Sequence, residues 1–255
     1  NSYLDHAATV FSPGSFTNLI ANAEHSRRTH TRFPSERIHL SDFQPTFAHL
    51  DDYSDTADFS LTYLMNLWYG YRDLLPADVR AATEAHFKSF KYWFTDPQPA
   101  GVVDQRYYWS ENHRLLFHSD EYLAGQAFPK DVFSSDGHTG AWHRDRAHGF
   151  IDKWLTEKAR YGFTEWHSDV YYQKTFDALI TLAEWARDPA IATRASMILD
   201  TLMFDLALHI QKGNNGVTHG RSYMKDKSQA EDEDVFNLAK VAWDDTSLPY
   251  NSTDD

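Results

Sequence analysis

The sequence contains no cysteine, which excludes a disulfide-bonded scaffold and a metal site with cysteine ligands. It contains no apolar run of about 18 residues, so no segment is predicted to cross a membrane. Positive charge is scarce, because 24 lysine and arginine residues stand against 37 aspartate and glutamate residues. The net charge of −13 argues against binding to nucleic acids or to anionic membrane surfaces.

Aromatic residues, in contrast, are abundant. The chain carries 17 Phe, 14 Tyr and 8 Trp, which together make up 15% of its residues. Large rings fill cores, and their flat faces also line grooves that bind ligands. The composition therefore predicts a substantial core and allows an aromatic cleft.

Apolar residues recur at helical spacing along most of the chain, and no stretch alternates in the way that predicts a sheet. We therefore predict an all-α domain spanning 1–255, with an irregular N-terminal segment (1–50) and a polar, acidic tail (225–255). The predicted helices lie at 55–76, 77–94, 110–128, 141–160, 164–186 and 190–210.

A short motif repeats along this helical pattern. Ser110-Glu111-Asn112-His113 and Thr164-Glu165-Trp166-His167 share the form [Ser/Thr]-Glu-x-His and lie 54 residues apart, and His219 follows 52 residues later. Such a period predicts tandem helical hairpins, arranged either as an open solenoid or as all or part of an α/α toroid. Fewer hairpins are visible than a complete toroid needs, so another chain or segment could complete the ring.

The repeated motif allows two interpretations. In the first, Ser110 and Thr164 cap helices, the following glutamates favour the helix dipole, and the histidines pack as polar residues. In the second, the motif lines a carbohydrate cleft, in which aromatic faces stack on sugar rings and polar side chains bind hydroxyl and carboxylate groups. The second interpretation names as substrate-binding candidates Tyr107, Tyr108, Trp109, Arg114, Trp166, Tyr171, Tyr172 and His219.

Three segments, "WSENHRLLFHSDEYLAGQ" (109–126), "FTEWHSDVYY" (163–172) and "THGRSY" (218–223), resemble the inner-helix motifs of carbohydrate-active toroid proteins. The resemblance is to polysaccharide lyases of the alginate and chondroitin/hyaluronate type, whose fold is a ring of six helical hairpins. It covers short motifs within 107–223. It implies a catalytic Asn112–His113 pair, with Arg221 and Tyr223 contributed by a later segment. The local context of that tyrosine differs from the family pattern, so Tyr171 or Tyr172 could take its place.

Cleavage of a uronic-acid polymer by β-elimination needs a group that binds the carboxylate, a base and an acid. Asn112 could hold the carboxylate together with Arg114 or Arg221. His113 or His167 could act as the base, since the pKa of imidazole lies near neutrality. A tyrosine could act as the acid, and the scheme requires no metal or other cofactor.

An inverting glycoside hydrolase is the first alternative, with Glu111 and Glu165 as its two carboxylic acids. Neighbouring helices lie roughly 8–10 Å apart, and inverting enzymes separate their carboxyl groups by about 6.5–9.5 Å. Asp120, Glu121 and Asp169 are other possible partners. A non-catalytic glycan-binding or scaffold protein is the second alternative, because one fold hosts many functions.

Four further features carry weaker predictions. "DDYSD" (51–55) fits a magnesium-binding pattern that arises easily in an acidic chain. The histidines of "GHTGAWHRDRAHG" (137–149) lie five residues apart, which is not the spacing of two metal ligands on one helix face. "EDED" (231–234) is interpreted as a solvated run. The sequon at 251–253 favours a secreted or periplasmic protein.

Overall fold

The computed structural model describes residues 2–251, and these are mostly helical, which confirms the all-α prediction. Whether the hairpins form a toroid stays a prediction. No helix among the described residues is both long and apolar enough to span a bilayer. The helices are α1 (Ser2–Ala7), α2 (Phe16–Thr29), α3 (Leu40–Asp51), α4 (Ala57–Tyr71), α5 (Ala77–Ser89), α6 (Glu111–Ala127), α7 (Gly140–Tyr161), α8 (Tyr171–Trp185), α9 (Pro189–His209) and α10 (Phe236–Trp243), and the strands β1 (Ile210–Gln211) and β2 (Asn214–Asn215) form a short hairpin.

The chain forms two compact units, where the sequence predicted one domain. The first unit contains the described residues up to 108 together with 120–148, and the second contains 109–119 together with 149–251. The chain passes from one unit to the other within α6 and again within α7. The prediction of an irregular segment over 1–50 is wrong, because α1, α2 and most of α3 lie there.

In the first unit, α4 is the central helix and packs against α2 and α3. It carries apolar residues on more than one face, and Leu61, Leu64 and Met65 are fully buried. A helix that is apolar on several sides must be enclosed by others. That requirement explains why the N-terminal segment folds into helices instead of remaining irregular.

A close helix contact in the same unit depends on a glycine. A side chain at Gly125 in α6 would place its Cβ 2.3 Å from the carbonyl oxygen of Gly140 and 2.6 Å from the backbone nitrogen of Arg144. Both partner atoms belong to backbone and cannot rotate away. Gly125 therefore permits α6 and α7 to approach at this point.

The second unit is built around the hairpin of α8 and α9, whose apolar faces pack along their length. Asp188 caps α9 by accepting a 2.8 Å hydrogen bond from the backbone N–H of Ala190, and Pro189 occupies the first helical turn. The buried residues of the hairpin include Ala178, Leu179, Leu182, Ile191, Ile198, Leu202 and Leu206.

Helix α8 begins at Tyr171, so the prediction of a helix from 164 onward is wrong at its start. His167 adopts a left-handed backbone conformation with φ of 55°, which interrupts a right-handed helix. The hydroxyl of Ser168 then accepts the backbone N–H of Tyr171 at 3.1 Å and satisfies one donor at the helix start. Residues 164–170 therefore form a turn before the helix.

The predicted polar tail over 225–255 is also wrong within the described residues. Helix α10 lies there, and its Phe236 and Ala239 are buried. Glu233, which was assigned to a solvated run, is only 3% exposed. The sequon at 251–253 extends beyond the described residues.

Candidate functional site

The first motif opens α6, as the sequence predicts. The Ser110 hydroxyl accepts the backbone N–H of His113 at 3.3 Å, which is the geometry of an N-cap. The same hydroxyl donates to the side-chain oxygen of Asn112 at 2.6 Å. The Asn112 amide nitrogen is buried and has no hydrogen-bond partner among the described residues. A buried donor of this kind is costly in free energy unless a ligand or a water molecule accepts a hydrogen bond from it.

Glu111 joins the two motifs. Its carboxylate accepts the backbone N–H of Thr164 at 2.9 Å and that of Glu165 at 3.2 Å. It also forms a buried ion pair with Lys158 of α7. The two [Ser/Thr]-Glu-x-His motifs therefore lie side by side, and the Glu111 carboxylate is fully engaged in holding them together.

A later loop hydrogen-bonds to the 164–170 turn. The backbone N–H of Gly220 donates to the carbonyl oxygen of Trp166 at 2.9 Å, and Nδ1 of His219 donates to the carbonyl oxygen of His167 at 2.7 Å. The Ser168 hydroxyl donates to the carbonyl oxygen of Arg221 at 2.8 Å. These bonds bring the third predicted segment beside the second.

Tyr171, Arg221 and Tyr223 form what we call the tyrosine–arginine cluster. The hydroxyls of Tyr171 and Tyr223 are 2.5 Å apart, and Nη2 of Arg221 donates to the Tyr223 hydroxyl at 3.0 Å. The Arg221 guanidinium lies over the Tyr171 ring at 4.7 Å. Its Nη1 is 3.7 Å from Oε1 of Glu165, which places a carboxyl group beside the cluster.

The environment shifts the titration of two of these groups. Burial raises the pKa of Glu165, and the nearby Arg221 guanidinium only partly opposes this while the Glu111 carboxylate adds to it. Burial and the hydrogen bond with Tyr223 raise the pKa of Tyr171. Tyr171 therefore remains a protonated donor at neutral pH, and Glu165 holds a proton more readily than an exposed glutamate.

His167 belongs to a different arrangement, centred on Asp205 of α9. Nδ1 of His167 donates to Oδ2 of Asp205 at 2.9 Å, and the Tyr172 hydroxyl donates to the same oxygen at 3.0 Å. Nδ1 of His209 donates to the backbone oxygen of Asp205 at 2.7 Å. Asp205 fixes the His167 tautomer, so the lone pair of that imidazole is at Nε2. No sequence motif singles out Asp205, which is one of two aspartates in a largely apolar helix.

The aromatic candidates divide by exposure. Trp109 and Tyr107 are exposed, and Trp166 is 45% exposed, so these rings could meet a ligand. Tyr108 and Tyr172 are buried, which contradicts their assignment to substrate stacking. The Tyr108 hydroxyl donates to Asp104 at 2.9 Å, so Tyr108 acts as a core residue.

His219 lies in a buried acidic group together with Asp169 and Glu233. One possible ligand atom of each residue lies within 4.8 Å of the others. Burial raises the pKa of Glu233 to about 8, although the hydrogen bond from the backbone N–H of Asn215 lowers it in part. Burial also raises the pKa of Asp169. The sequence does not distinguish Glu233 from its neighbours, because all four residues at 231–234 are acidic.

Neither of the weaker metal motifs assembles a site. Among the described residues, the groups that could hold a metal include none of Asp51, Asp52 and Asp55. His143 is buried and hydrogen-bonds to Glu121 at 2.8 Å and to Asp136 at 3.1 Å, which is a structural role.

Comparison with known proteins gives no assignment: no family model, no curated protein and no solved structure matches this chain. The resemblance to toroid lyases therefore depends on the short motifs alone.

Proposed function

We propose that the protein is a polysaccharide lyase that cleaves a uronic-acid-containing glycan by β-elimination, with the tyrosine–arginine cluster at its centre. The observation that carries the proposal is the environment of the Tyr223 oxygen. Arg221 donates to it at 3.0 Å, and the Tyr171 hydroxyl lies 2.5 Å away.

Two hydrogen bonds hold this phenol oxygen in a fixed position, and each can strengthen as negative charge develops on the oxygen during proton transfer. Tyr171 can serve as one of these donors, since burial keeps it protonated. Tyr223 is 41% exposed, so part of its side chain is open to a polymer. This arrangement suits a tyrosine that takes a proton from a substrate carbon and returns it to the leaving oxygen.

The reaction balances without any added reagent. The base removes the proton from the carbon next to the uronate carboxylate, and that electron pair forms a carbon–carbon double bond. The bond from the neighbouring carbon to the glycosidic oxygen breaks, and the leaving oxygen receives a proton. The exposed face of the Arg221 guanidinium can pair with the substrate carboxylate, where negative charge develops in the transition state.

The other predicted residues support this site from nearby. His113 is close enough to Glu165 to favour its ionised form, and Asn112 contributes an unpaired amide donor at the same helix start. His167, with its lone pair at Nε2, is the second candidate base. Trp109 and Trp166 supply exposed rings for sugar stacking.

An inverting glycoside hydrolase is the alternative, and one observation favours it. Burial raises the pKa of Glu165, which suits a general acid that must hold its proton near neutrality. The proposed partner is less suitable, because the Glu111 carboxylate binds two backbone N–H groups and Lys158. Elimination therefore accounts for more of the site.

The products distinguish the two reactions. The protein is incubated with a panel of uronate-containing and neutral polysaccharides, and ultraviolet absorbance and reducing ends are both recorded. Elimination creates an unsaturated sugar, so we expect new absorbance together with new reducing ends on a polyuronide. New reducing ends without absorbance would establish hydrolysis, and binding without either product would establish a glycan-binding protein.

A further inference from the structure

We propose that Asp169, His219 and Glu233 bind one divalent transition-metal ion, with Zn²⁺ as the best match. These residues come from the end of the 164–170 turn, from the loop that carries Arg221, and from the segment before α10. One nitrogen or oxygen atom of each lies within 4.8 Å of the others. A bound ion here would overturn the expectation of a cofactor-free protein, and its binding does not depend on the proposed reaction.

The orientation of His219 is the first argument. Its Nδ1 lies 2.7 Å from the carbonyl oxygen of His167, and a carbonyl can only accept, so Nδ1 carries the hydrogen. A histidine that donates to a backbone carbonyl through one nitrogen and presents the other is the usual arrangement of a metal ligand. Nε2 lies 3.7 Å from Oδ2 of Asp169. Ligand atoms of a tetrahedral ion with bonds of about 2.0–2.1 Å lie roughly 3.3 Å apart, so little movement is needed.

The two carboxyl groups supply the second argument. Asp169 is 1% exposed, and its Oδ1 is buried with no hydrogen-bond partner among the described residues. Glu233 is 3% exposed, and its other neighbours include the buried carboxyl of Asp226. An ionised carboxylate in such a place is costly unless a cation balances it. A metal ion held between the Asp169 carboxylate and Nε2 of His219 would compensate the charge.

The types of ligand atom at the site indicate which metal it would bind. One imidazole nitrogen with carboxylate oxygens is typical of zinc and related first-row ions, whereas Ca²⁺ and Mg²⁺ prefer sites made of oxygen alone. Serine hydroxyls and backbone groups orient the ligands, since Ser222 donates to Oδ2 of Asp169 at 2.8 Å and the Asn215 N–H donates to Glu233 at 3.2 Å. Such outer contacts fix ligand geometry.

The group formed by His167, Asp205 and His209 is the rival site. Its hydrogen bonds already explain its geometry, because both Nδ1 atoms donate to oxygens of Asp205, at 2.9 and 2.7 Å. Its members are also only partly buried. This group therefore serves as the matched comparison in the test.

An ion at the proposed site would have a structural consequence. Asp169 lies two residues before Tyr171, and His219 lies two and four residues before Arg221 and Tyr223. The ion would tie both parts of the tyrosine–arginine cluster to one point. Metal removal is therefore expected to loosen the loop that carries Arg221.

The test measures metal binding directly. Protein treated with EDTA and dialysed is titrated with ZnCl₂ by isothermal calorimetry, and the bound metal is counted by elemental analysis. We expect one equivalent of zinc and a rise of several degrees in the melting temperature, because binding to the folded state alone stabilises it. Glu233→Gln and His219→Ala should lose the zinc equivalent, and Asp205→Asn should keep it.

Glu233→Gln also separates metal loss from misfolding. Removing a buried carboxyl should raise the melting temperature of the metal-free protein, yet abolish the further rise that zinc gives. The proposal is overturned if the parent protein binds no zinc at micromolar concentrations. It is equally overturned if Asp205→Asn loses the zinc equivalent while Glu233→Gln retains it.

Discussion

The carboxylate of Glu111 accepts the backbone N–H of Glu165 at 3.2 Å, so the acid of the first motif binds the backbone of the second. The same carboxylate is paired with Lys158. Both side chains of this ion pair are largely buried, which makes the pair hard to break without cost.

Glu111→Gln should therefore act on stability. It leaves the Lys158 ammonium buried without its counter-ion and weakens the bonds to the 164–165 backbone. We expect the free energy of unfolding to fall by on the order of 3 kcal/mol, measured by urea denaturation. Glu157→Gln is the control, because its pairing with Lys153 is long and exposed and should be worth under about 0.5 kcal/mol. A fully stable Glu111→Gln protein that has lost hydrolytic turnover would favour the hydrolase.

Tyr223→Phe should remove turnover and spare the fold. The phenol oxygen is the proposed site of proton transfer, and such groups contribute about 10²–10⁴-fold to rate. We expect kcat to fall by that range on the best polyuronide, with the melting temperature changed little. Tyr161→Phe is the matched control, since Tyr161 is exposed at the end of α7. A variant with phenylalanine at 223 that retains full kcat would exclude this tyrosine as the proton carrier.

Asp120 should make stability depend on pH. It is fully buried, and burial raises its pKa well above the usual range; the Thr62 hydrogen bond opposes this only in part, and Asp58 adds to it. The folded state then holds a proton that the unfolded state releases above about pH 4, so stability falls as pH rises from there. Asp120→Asn mimics the protonated acid and removes this loss.

Thermal unfolding at pH 4 and pH 7 measures the effect. The stability of Asp120→Asn relative to the parent should be greater at pH 7 than at pH 4. The stability of Asp73→Asn relative to the parent should be the same at both pH values, because Asp73 is exposed. A constant difference between Asp120→Asn and the parent at both pH values would mean that Asp120 is ionised in the folded protein.

Gly125→Ala should destabilise the first unit. The new methyl group would lie 2.3 Å from the carbonyl oxygen of Gly140, so α6 and α7 would have to move apart. We expect a loss of about 1–3 kcal/mol or more, measured by denaturant unfolding. Gly149→Ala in α7 is the control, because nothing lies within 4 Å of its added Cβ. There the gain in helix propensity should stabilise the protein by roughly 0.5–1 kcal/mol.

Apolar periodicity predicted α9 correctly, because one face of that helix meets the core, and it also predicted α6, which is buried on nearly all sides. It failed at 164–170, because the left-handed conformation of His167 depends on contacts with the 219–221 loop, 52 or more residues away. The prediction for 1–50 is wrong for a related reason. Helices α2 and α3 are stabilised by packing against the apolar faces of α4, which lies later in the sequence. The periodicity of a short sequence segment contains no information about such tertiary contacts.

The placement of the three motif segments was predicted in part. The repeated motif correctly brought Glu111 and Glu165 together, and the third segment does lie beside the second. The burial of Tyr108, Tyr172 and Glu233 was not predicted, because the type of a residue does not show whether its side chain lies in a cleft or in a core. Asp205 was missed because only the fold brings it to His167.

The Glu111 contacts also have an evolutionary consequence. Glu111 binds the backbone at 164 and 165, and any residue except proline supplies that N–H. Substitutions at Thr164 should therefore keep the bond between this backbone and Glu111 as the chain diverges, and lose only the long 3.4 Å contact of the Thr164 hydroxyl with Lys158. Glu111 and Lys158 should instead be replaced together, because a substitution of either residue alone leaves the charge of its partner buried and unbalanced.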